Sequence, residues 1–243
     1  MMIPRFFFPH PLPAGGEVVL PEAVAHHAAR VLRLHNGDAV ILFDGQGGEV
    51  PARLAVSGRR WSAWLGARAA VERESPLRVV LVQALASGEK MDWVVQKSTE
   101  LGVSAVWPVA AARSVLRLAG ERADKRLAHW RQVAVSACEQ CGRNRVPEVA
   151  SIISLDAYLA AASSVRKLLL LPSADKALRN IGPPAAGEPI HLLVGPEGGW
   201  SEAEMAACLR AGAEAVGLGP RVLRTETAGA AALAALQALW GDY

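Results

Sequence analysis

Two glycine-bearing turns in the last third of the chain carry the residues best suited to hold a small ligand. The first is Leu192-Leu193-Val194-Gly195-Pro196-Glu197-Gly198-Gly199-Trp200-Ser201, and the second is Leu218-Gly219-Pro220-Arg221-Val222-Leu223-Arg224-Thr225-Glu226-Thr227-Ala228. Each follows a short apolar stretch and opens a helix-like one, the position at which an α/β sheet binds ligands. Neither matches a phosphate loop, and Gly195, Gly198 and Gly199 do not space as a dinucleotide fingerprint. Backbone N–H groups at the start of the Ser201 helix suit a carboxylate or hydroxyls. Glu197 argues against a phosphate there; it suits ribose hydroxyls or a cation, or else stands in solvent beside a tight turn. Arg221 and Arg224 suit phosphate or carboxylate recognition, and Arg224 has Glu226 as an alternative structural partner.

The elements that must position these turns follow an α/β alternation. Arg78 to Gln83, Ala105 to Val109, Leu168 to Leu171 and Ile190 to Val194 read as buried strands. Glu89 to Leu101, closed by Gly102, and Asp124 to Glu139 read as helices. Ser201-Glu202-Ala203-Glu204 is a capping box, and Thr225 or Thr227 is the expected cap of the last helix. This alternation implies a largely parallel sheet covered by helices on both faces. The last helix, Ala228 to Trp240, is apolar almost all round, so it is expected to be buried on more than one side, in the sheet layer or against a second subunit.

Residues 1 to about 72 have a different texture. Glu17 to Leu20, Ala39 to Phe43, Glu49 to Val56 and Trp61 to Ala70 fit short strands punctuated by turns, with a helix over Ala23 to Leu34. This suggests a small barrel. The division expected is a domain over 1–72, a linker over 73–75 and a second domain over 76–243.

Composition narrows the class. The chain has 243 residues, 51% of them hydrophobic, and a formal net charge of +3. No apolar run approaches the ~20 residues of a membrane span. The segment Met1 to Phe8 lacks the long apolar core and small-residue site of a signal peptide, so a cytoplasmic protein without membrane association is expected. Cys138-Glu139-Gln140-Cys141 has no second pair or nearby histidines to complete a zinc site, so no metal is expected and the cysteines read as incidental. From Arg113 to Arg145, eight Lys/Arg stand against three acids. That is either a solvated face or an attractant for a phosphate backbone.

The ordered set of motifs resembles the RsmE-type 16S rRNA (uracil-N3)-methyltransferases of the SPOUT superfamily. It includes Arg5-Phe6-Phe7, His26-His27-Ala28-Ala29-Arg30-Val31-Leu32-Arg33 with Gly37-Asp38, Lys97-Ser98-Thr99-Glu100-Leu101-Gly102-Val103, Arg113-Ser114-Val115 and Glu139-Gln140-Cys141-Gly142-Arg143. The most specific stretches are the two turns. The resemblance covers nearly the whole chain. It implies a PUA-like barrel followed by an α/β domain with a deep C-terminal trefoil knot, a connection rare among folds. It also implies S-adenosyl-L-methionine as cofactor and a homodimer.

On that resemblance the cofactor sits against three loops: Leu170 to Ser173, Val194 to Gly199, and Leu218 to Thr227. The residues implied are Leu171, Pro172, Val194, Gly195, Glu197, Gly198, Leu218, Gly219, Arg221, Leu223 and Thr227. Leu171, Leu218 and Leu223 flank adenine, with Glu197 and Gly198 near the ribose and methionine part. The implied reaction methylates N3 of a uridine at position 1498 of 16S rRNA, within the small ribosomal subunit. Uracil N3 is a poor nucleophile until its proton leaves, so the site needs a base or a cationic environment. Glu139 is the candidate base, unless it only holds Arg143. Arg143, Arg113 and Arg221 are the candidates to stabilise charge on the uracil oxygens. Arg5, His27, Arg30 and Arg33 fit an RNA-facing surface, with Arg30 and Arg33 about one helical turn apart. Lys90 and Lys97 share a helix face and contact RNA phosphates, or pair with Glu89 and Glu100.

Other readings compete, among them a guanine-N1 enzyme of the same superfamily, whose characteristic motifs are not evident. A ribose 2′-O enzyme of the same superfamily is disfavoured because no asparagine occurs between Pro76 and Arg143. A non-catalytic RNA-binding protein would not bind the cofactor. A nucleotide-dependent enzyme lacks its phosphate loop.

Overall fold

The computed structural model describes Ile3 to Tyr243; Met1 and Met2, the start of the expected first domain, lie outside the described residues. The chain forms two compact units. One comprises residues 3–74 and 138–146, and the other residues 75–137 and 147–243. The candidate residues Glu139 and Arg143 therefore belong to the first unit.

The first unit is built on strands β1 (Arg5–Phe7), β2 (Gly16–Val19), β3 (Ala39–Phe43), β4 (Val50–Ser57) and β5 (Arg60–Leu65). They form one sheet in the order β1-β3-β4-β5-β2, with β1 parallel to β3 and the other pairs antiparallel. The alternation in β4 places Val50, Ala52 and Leu54 inward, where they join Phe6, Leu42 and Ala63 in the core. Such period-2 patterning is what a half-buried antiparallel strand requires. Polar residues lock the unit's edge. Arg5 donates to Glu49 (2.6 Å) and Asn144 (2.5 Å), Asn144 donates to Val71 O (2.8 Å), and Arg143 binds Glu74 through two nitrogens.

The helix expected over Ala23 to Leu34 is a five-residue α-helix, α1 (Glu22–His26), which widens into a π-helical turn over His27–Val31. Leu34 N–H closes it by donating to Ala28 O (2.9 Å). Arg33 then sits in the left-handed region at φ 54°. Arg30 and Arg33 therefore do not lie on one regular helix face, which corrects the sequence expectation.

The second unit contains a seven-stranded, wholly parallel sheet. Its strands are β6 (Val79–Ala84), β7 (Ala105–Ala110), β8 (Glu148–Val149), β9 (Ile153–Ser154), β10 (Arg166–Leu170), β11 (Ile190–Val194) and β12 (Ala213–Val216). The order is β12-β10-β11-β6-β7-β8, with β9 also pairing β7. All five residues of β11 are buried, as a central strand covered on both faces must be. The helices are α2 (Lys90–Glu100), α3 (Glu121–Cys141), α4 (Leu155–Ala161), α5 (Glu202–Arg210) and α6 (Thr225–Trp240). The last turn of α3, from Cys138, lies in the first unit.

The capping box at α5 forms as expected: Ser201 and Glu204 exchange bonds between side chains and backbone N–H groups. The cap of α6 differs. Arg224 occupies the N-cap position without a side-chain bond, and its carbonyl accepts from Thr227 N (2.9 Å) and Ala228 N (2.8 Å). Thr225 is released for another task, described below. Helix α6 packs on α2 and on β6 and β11 through Gly229, Ala232, Leu233 and Leu236. A Cβ at Gly229 would stand 3.5 Å from Leu81 and Gln83, an ordinary packing contact, so the position would accept alanine. The opposite face is only half-buried, and Leu239 is exposed. The single chain therefore buries α6 on one side.

Candidate cofactor and substrate site

A cavity of about 420 Å³ opens at the carboxyl ends of β10, β11 and β12, a size typical of small-molecule sites. Its wall brings together the three loops named from the sequence. Leu171 and Pro172 come from the first; Val194, Gly195 and Glu197 from the second; Leu218, Gly219, Arg221 and Leu223 from the third. Two expected members are not on the wall. Gly198 turns its carbonyl to Arg113 (3.2 Å), and Thr227 is exposed in the first turn of α6.

Local sequence explains how the second and third loops stay together. The Thr225 hydroxyl donates to Gly195 O (2.5 Å) and accepts from Gln83 Nε2 (2.8 Å). It thereby stitches the end of β6 to both turns. Gly195 lets the turn pack on Trp200, since a Cβ there would lie 3.1 Å from the indole nitrogen and the ring would have to give by a few tenths of an ångström. At the third loop, Gly217 N–H donates to Lys176 O and Gly217 O accepts from Leu178 N, each at 2.9 Å. A Cβ on Gly217 would stand 3.2 Å from Ala174 O.

The cavity has a polar end that sequence reasoning found only in part. Glu197 Oε1 accepts from Ser87 N (2.9 Å), Ser87 Oγ (2.7 Å) and Lys90 Nζ (3.1 Å). Glu226 lies 3.9 Å from the same ammonium and has a buried oxygen without a hydrogen bond. Burial alone would raise the Glu197 carboxyl, but the Ser87 and Lys90 donors outweigh it and hold it at about 2. It is ionised throughout the physiological range. Lys90, expected on an RNA-facing surface, thus lines the cavity and offsets part of the charge of its two acids. Lys97 is bound to Glu100 (2.9 Å). Trp200, Arg224, Thr225 and Glu226 also line the cavity. Arg224, Thr225 and Glu226 belong to the third loop named from the sequence, whereas Trp200 lies one residue beyond the second.

The remaining candidates divide between the units. Arg221 is exposed on the cavity wall. Arg113 donates to Gly198 O (3.2 Å) and Trp200 O (3.4 Å). In the first unit, Glu139 Oε1 accepts from Phe7 N (2.9 Å). Burial raises its carboxyl despite that bond and the charges of His27 and Arg5, a shift in the direction a general base needs. The buried guanidinium of Arg143 is paired with Glu74. Arg5 is likewise not free for RNA in this structure: its side chain is 8% exposed, is paired with Glu49 and lies over the Phe43 ring. His27 is half-buried edge-on to Phe6, whereas Arg30 and Arg33 are exposed.

The cationic run from Arg113 to Arg145 is largely used internally. Arg117 donates to Ala111 O and Ala112 O, Arg131 to Val149 O, and Arg145 to Glu72. Of the two neighbouring thiols, Cys138 is pushed up to about 12, chiefly by burial, which leaves it protonated and unreactive.

Comparison with known proteins accords with this geometry. Residues 73–237 match the model of an RNA methyltransferase domain, and residues 20–60 match that of an RNA methyltransferase PUA domain. The ribosomal RNA small subunit methyltransferase E of Bacillus subtilis is 34% identical, covering 87% of this chain and 86% of its own. That of Mycobacterium bovis is 36% identical, covering 98% and 93%. A crystal structure of the Neisseria gonorrhoeae ribosomal RNA small subunit methyltransferase E bound to S-adenosyl methionine superposes with a TM-score of 0.92 at 42% identity, covering all of both chains.

Proposed function

Because the chain belongs to the RNA methyltransferase family, we propose that it transfers a methyl group from S-adenosylmethionine to N3 of a uridine, position 1498, in the 16S RNA of the small ribosomal subunit. The observation that carries this reading is the cavity at the ends of β10 to β12, which joins apolar walls to a pair of carboxylates. The fit to the cofactor is one of chemistry. Leu171, Leu218 and Leu223 offer apolar surface to a purine, and Glu197 and Glu226 favour a cationic ligand without phosphate. When bound, the sulfonium supplies an electrophilic methyl group.

The protein's part is positioning and charge control. Arg221 and Arg113 are suited to stabilise the uracil anion, and Glu139 to take the N3 proton. Arg143 would support this role by holding the backbone around Glu139 through Glu74. Arg30, Arg33 and His27 would guide RNA, and Lys97 would contribute after leaving Glu100. Gly198 and Thr227 would contact the cofactor only if their loops adjust on binding.

The remaining parts of the reading concern architecture. The parallel pairing of Gly217 against Lys176 to Leu178 supports a trefoil knot, since it lays the last loop against the segment between β10 and β11. The half-buried outer face of α6, with exposed Leu239 and Tyr243, supports a homodimer. Among the described residues no helix is long and apolar enough to cross a membrane, in keeping with action on ribosomal RNA in the cytoplasm.

The deciding experiment maps methylated nucleotides in ribosomal RNA from a strain lacking this protein. Loss of one uridine N3-methyl mark, restored by complementation, is expected. An unchanged methylation map would refute the proposal.

A further inference from the structure

A second cavity, of about 510 Å³, lies at the carboxyl ends of β6 and β7. Its wall is mainly apolar, formed by Leu85, Ala110, Leu116, Leu118 and Ala119. Arg117 and Arg122 stand on it with Glu121. Arg117 is positioned by its bonds to Ala111 O (3.2 Å) and Ala112 O (2.6 Å). Arg122 is exposed, while the charge of Glu121 is offset by Lys125 at 3.7 Å. The balance is cationic at the mouth and apolar within.

This cavity and the cofactor cavity flank one boundary of the sheet. Strands β11 and β6 are neighbours, and the chain builds outward from them in opposite directions, which is where open α/β sheets bind ligands. Two connections tie the cavities together. Leu85 leads to Ser87, which holds Glu197 of the first cavity. Ala110 leads to Arg113, which holds Gly198 O and Trp200 O beside it. An atom on the Watson–Crick edge of a base is reached by taking the base out of its stack into a snug pocket with apolar walls. A cationic mouth suits the phosphates on either side.

We infer that the cavity formed by Leu85, Ala110, Leu116, Leu118 and Ala119 receives the extruded target nucleotide, with Arg117 and Arg122 holding its flanking phosphates. This rests on the RNA-methylating reading above and adds to it the place of the substrate base.

The test uses the full-length protein saturated with S-adenosylmethionine. Uridine 5′-monophosphate is titrated in while the methyl NMR signals of Leu85, Leu116, Leu118 and Ala119 are followed. Shifts concentrated on these methyls are expected. In parallel, Ala119→Trp fills the cavity from an exposed position, and Leu116→Trp fills it from a half-buried one. Each is expected to raise KM for 16S RNA at least ~10-fold while leaving the cofactor Kd, measured by calorimetry, within about twofold. Wild-type KM in both variants, or nucleotide shifts confined to other methyls, would overturn the inference. Wild-type protein that methylates a nucleotide other than uridine would instead overturn the reading of the target, and the filling variants would still report on the cavity.

Discussion

Glu197 shows how one residue's role depends on its donors. Its type and its place in a glycine turn are visible in the chain, but its partners Ser87 and Lys90 are over 100 positions away. Its carboxyl is held at about 2, below its ordinary 4.5. The stabilisation it brings is therefore complete above about pH 4.5 and is lost only as pH falls through about 2. Cofactor affinity is expected to show no titration of this group between about pH 5 and 8. Glu197→Gln removes the charge and weakens the donors' grip, with an expected loss of about 1.5 kcal/mol, or roughly tenfold in cofactor Kd by calorimetry. Arg33 makes the opposite trade. Its left-handed backbone is a position that favours glycine by about 1 kcal/mol. Arg33→Gly is expected to raise stability by about that amount in urea titrations while weakening RNA binding and reducing its salt slope by roughly one charge. Unchanged RNA affinity would remove Arg33 from the binding surface.

Among elements, the contact of α6 with β6 and the Gly195 turn decides whether a cavity forms at all. Thr225 is its pin, donating to Gly195 O and accepting from buried Gln83. Thr225→Val keeps the shape but takes the hydroxyl donor from Gly195 O and leaves Gln83 Nε2 with Ala84 O alone. The expected cost is about 2 kcal/mol of stability, together with weaker cofactor binding, measured by chemical denaturation and calorimetry. The periodicity of long helices such as α2 and α3, and the uninterrupted apolar run of β11, are strong enough to read directly. Short ones are not. Strands β8 and β9 have two residues each and exist only because β7 offers a partner edge. The π-helical turn at His27–Val31 escapes a 3.6-residue pattern because its period is longer.

For the molecule as a whole, stability should carry the imprint of His191. It lies within the sheet, stacked on Tyr158 at 5.9 Å, with the Tyr158 hydroxyl 3.0 Å from Nδ1. Burial first, and the Lys167 charge second, depress its titration to about 4. The unfolded chain takes up that proton near pH 6.5, before the native state does. The contribution is thus present above about pH 6.5 and is lost as pH falls toward about 4, amounting to about 3 kcal/mol. Urea denaturation at about pH 7.5 and about pH 4.5 should reveal this slope, and His191→Phe should flatten it by a comparable amount. Assembly supplies another expectation at this scale. Leu239→Glu, placed on the exposed side of α6, should yield monomers in sedimentation if that helix joins two copies, and an unchanged sedimentation profile would place any dimer contact elsewhere.

The sequence by itself determined the kind of elements, the two ligand-binding turns and the family, because these rest on local spacing and on motifs held in order along the chain. It named nine of the residues that line the cofactor cavity. Only the tertiary structure decided that Lys90 belongs there and pairs with Glu197, that Arg5 and Arg143 are spent on buried ion pairs, and that Cys138 to Val146 join the first unit. The physical reason is common to all three. A charged side chain has one appearance in the sequence whether it meets solvent, a ligand or a counter-charge, and the difference is made by residues that folding brings to it from far along the chain.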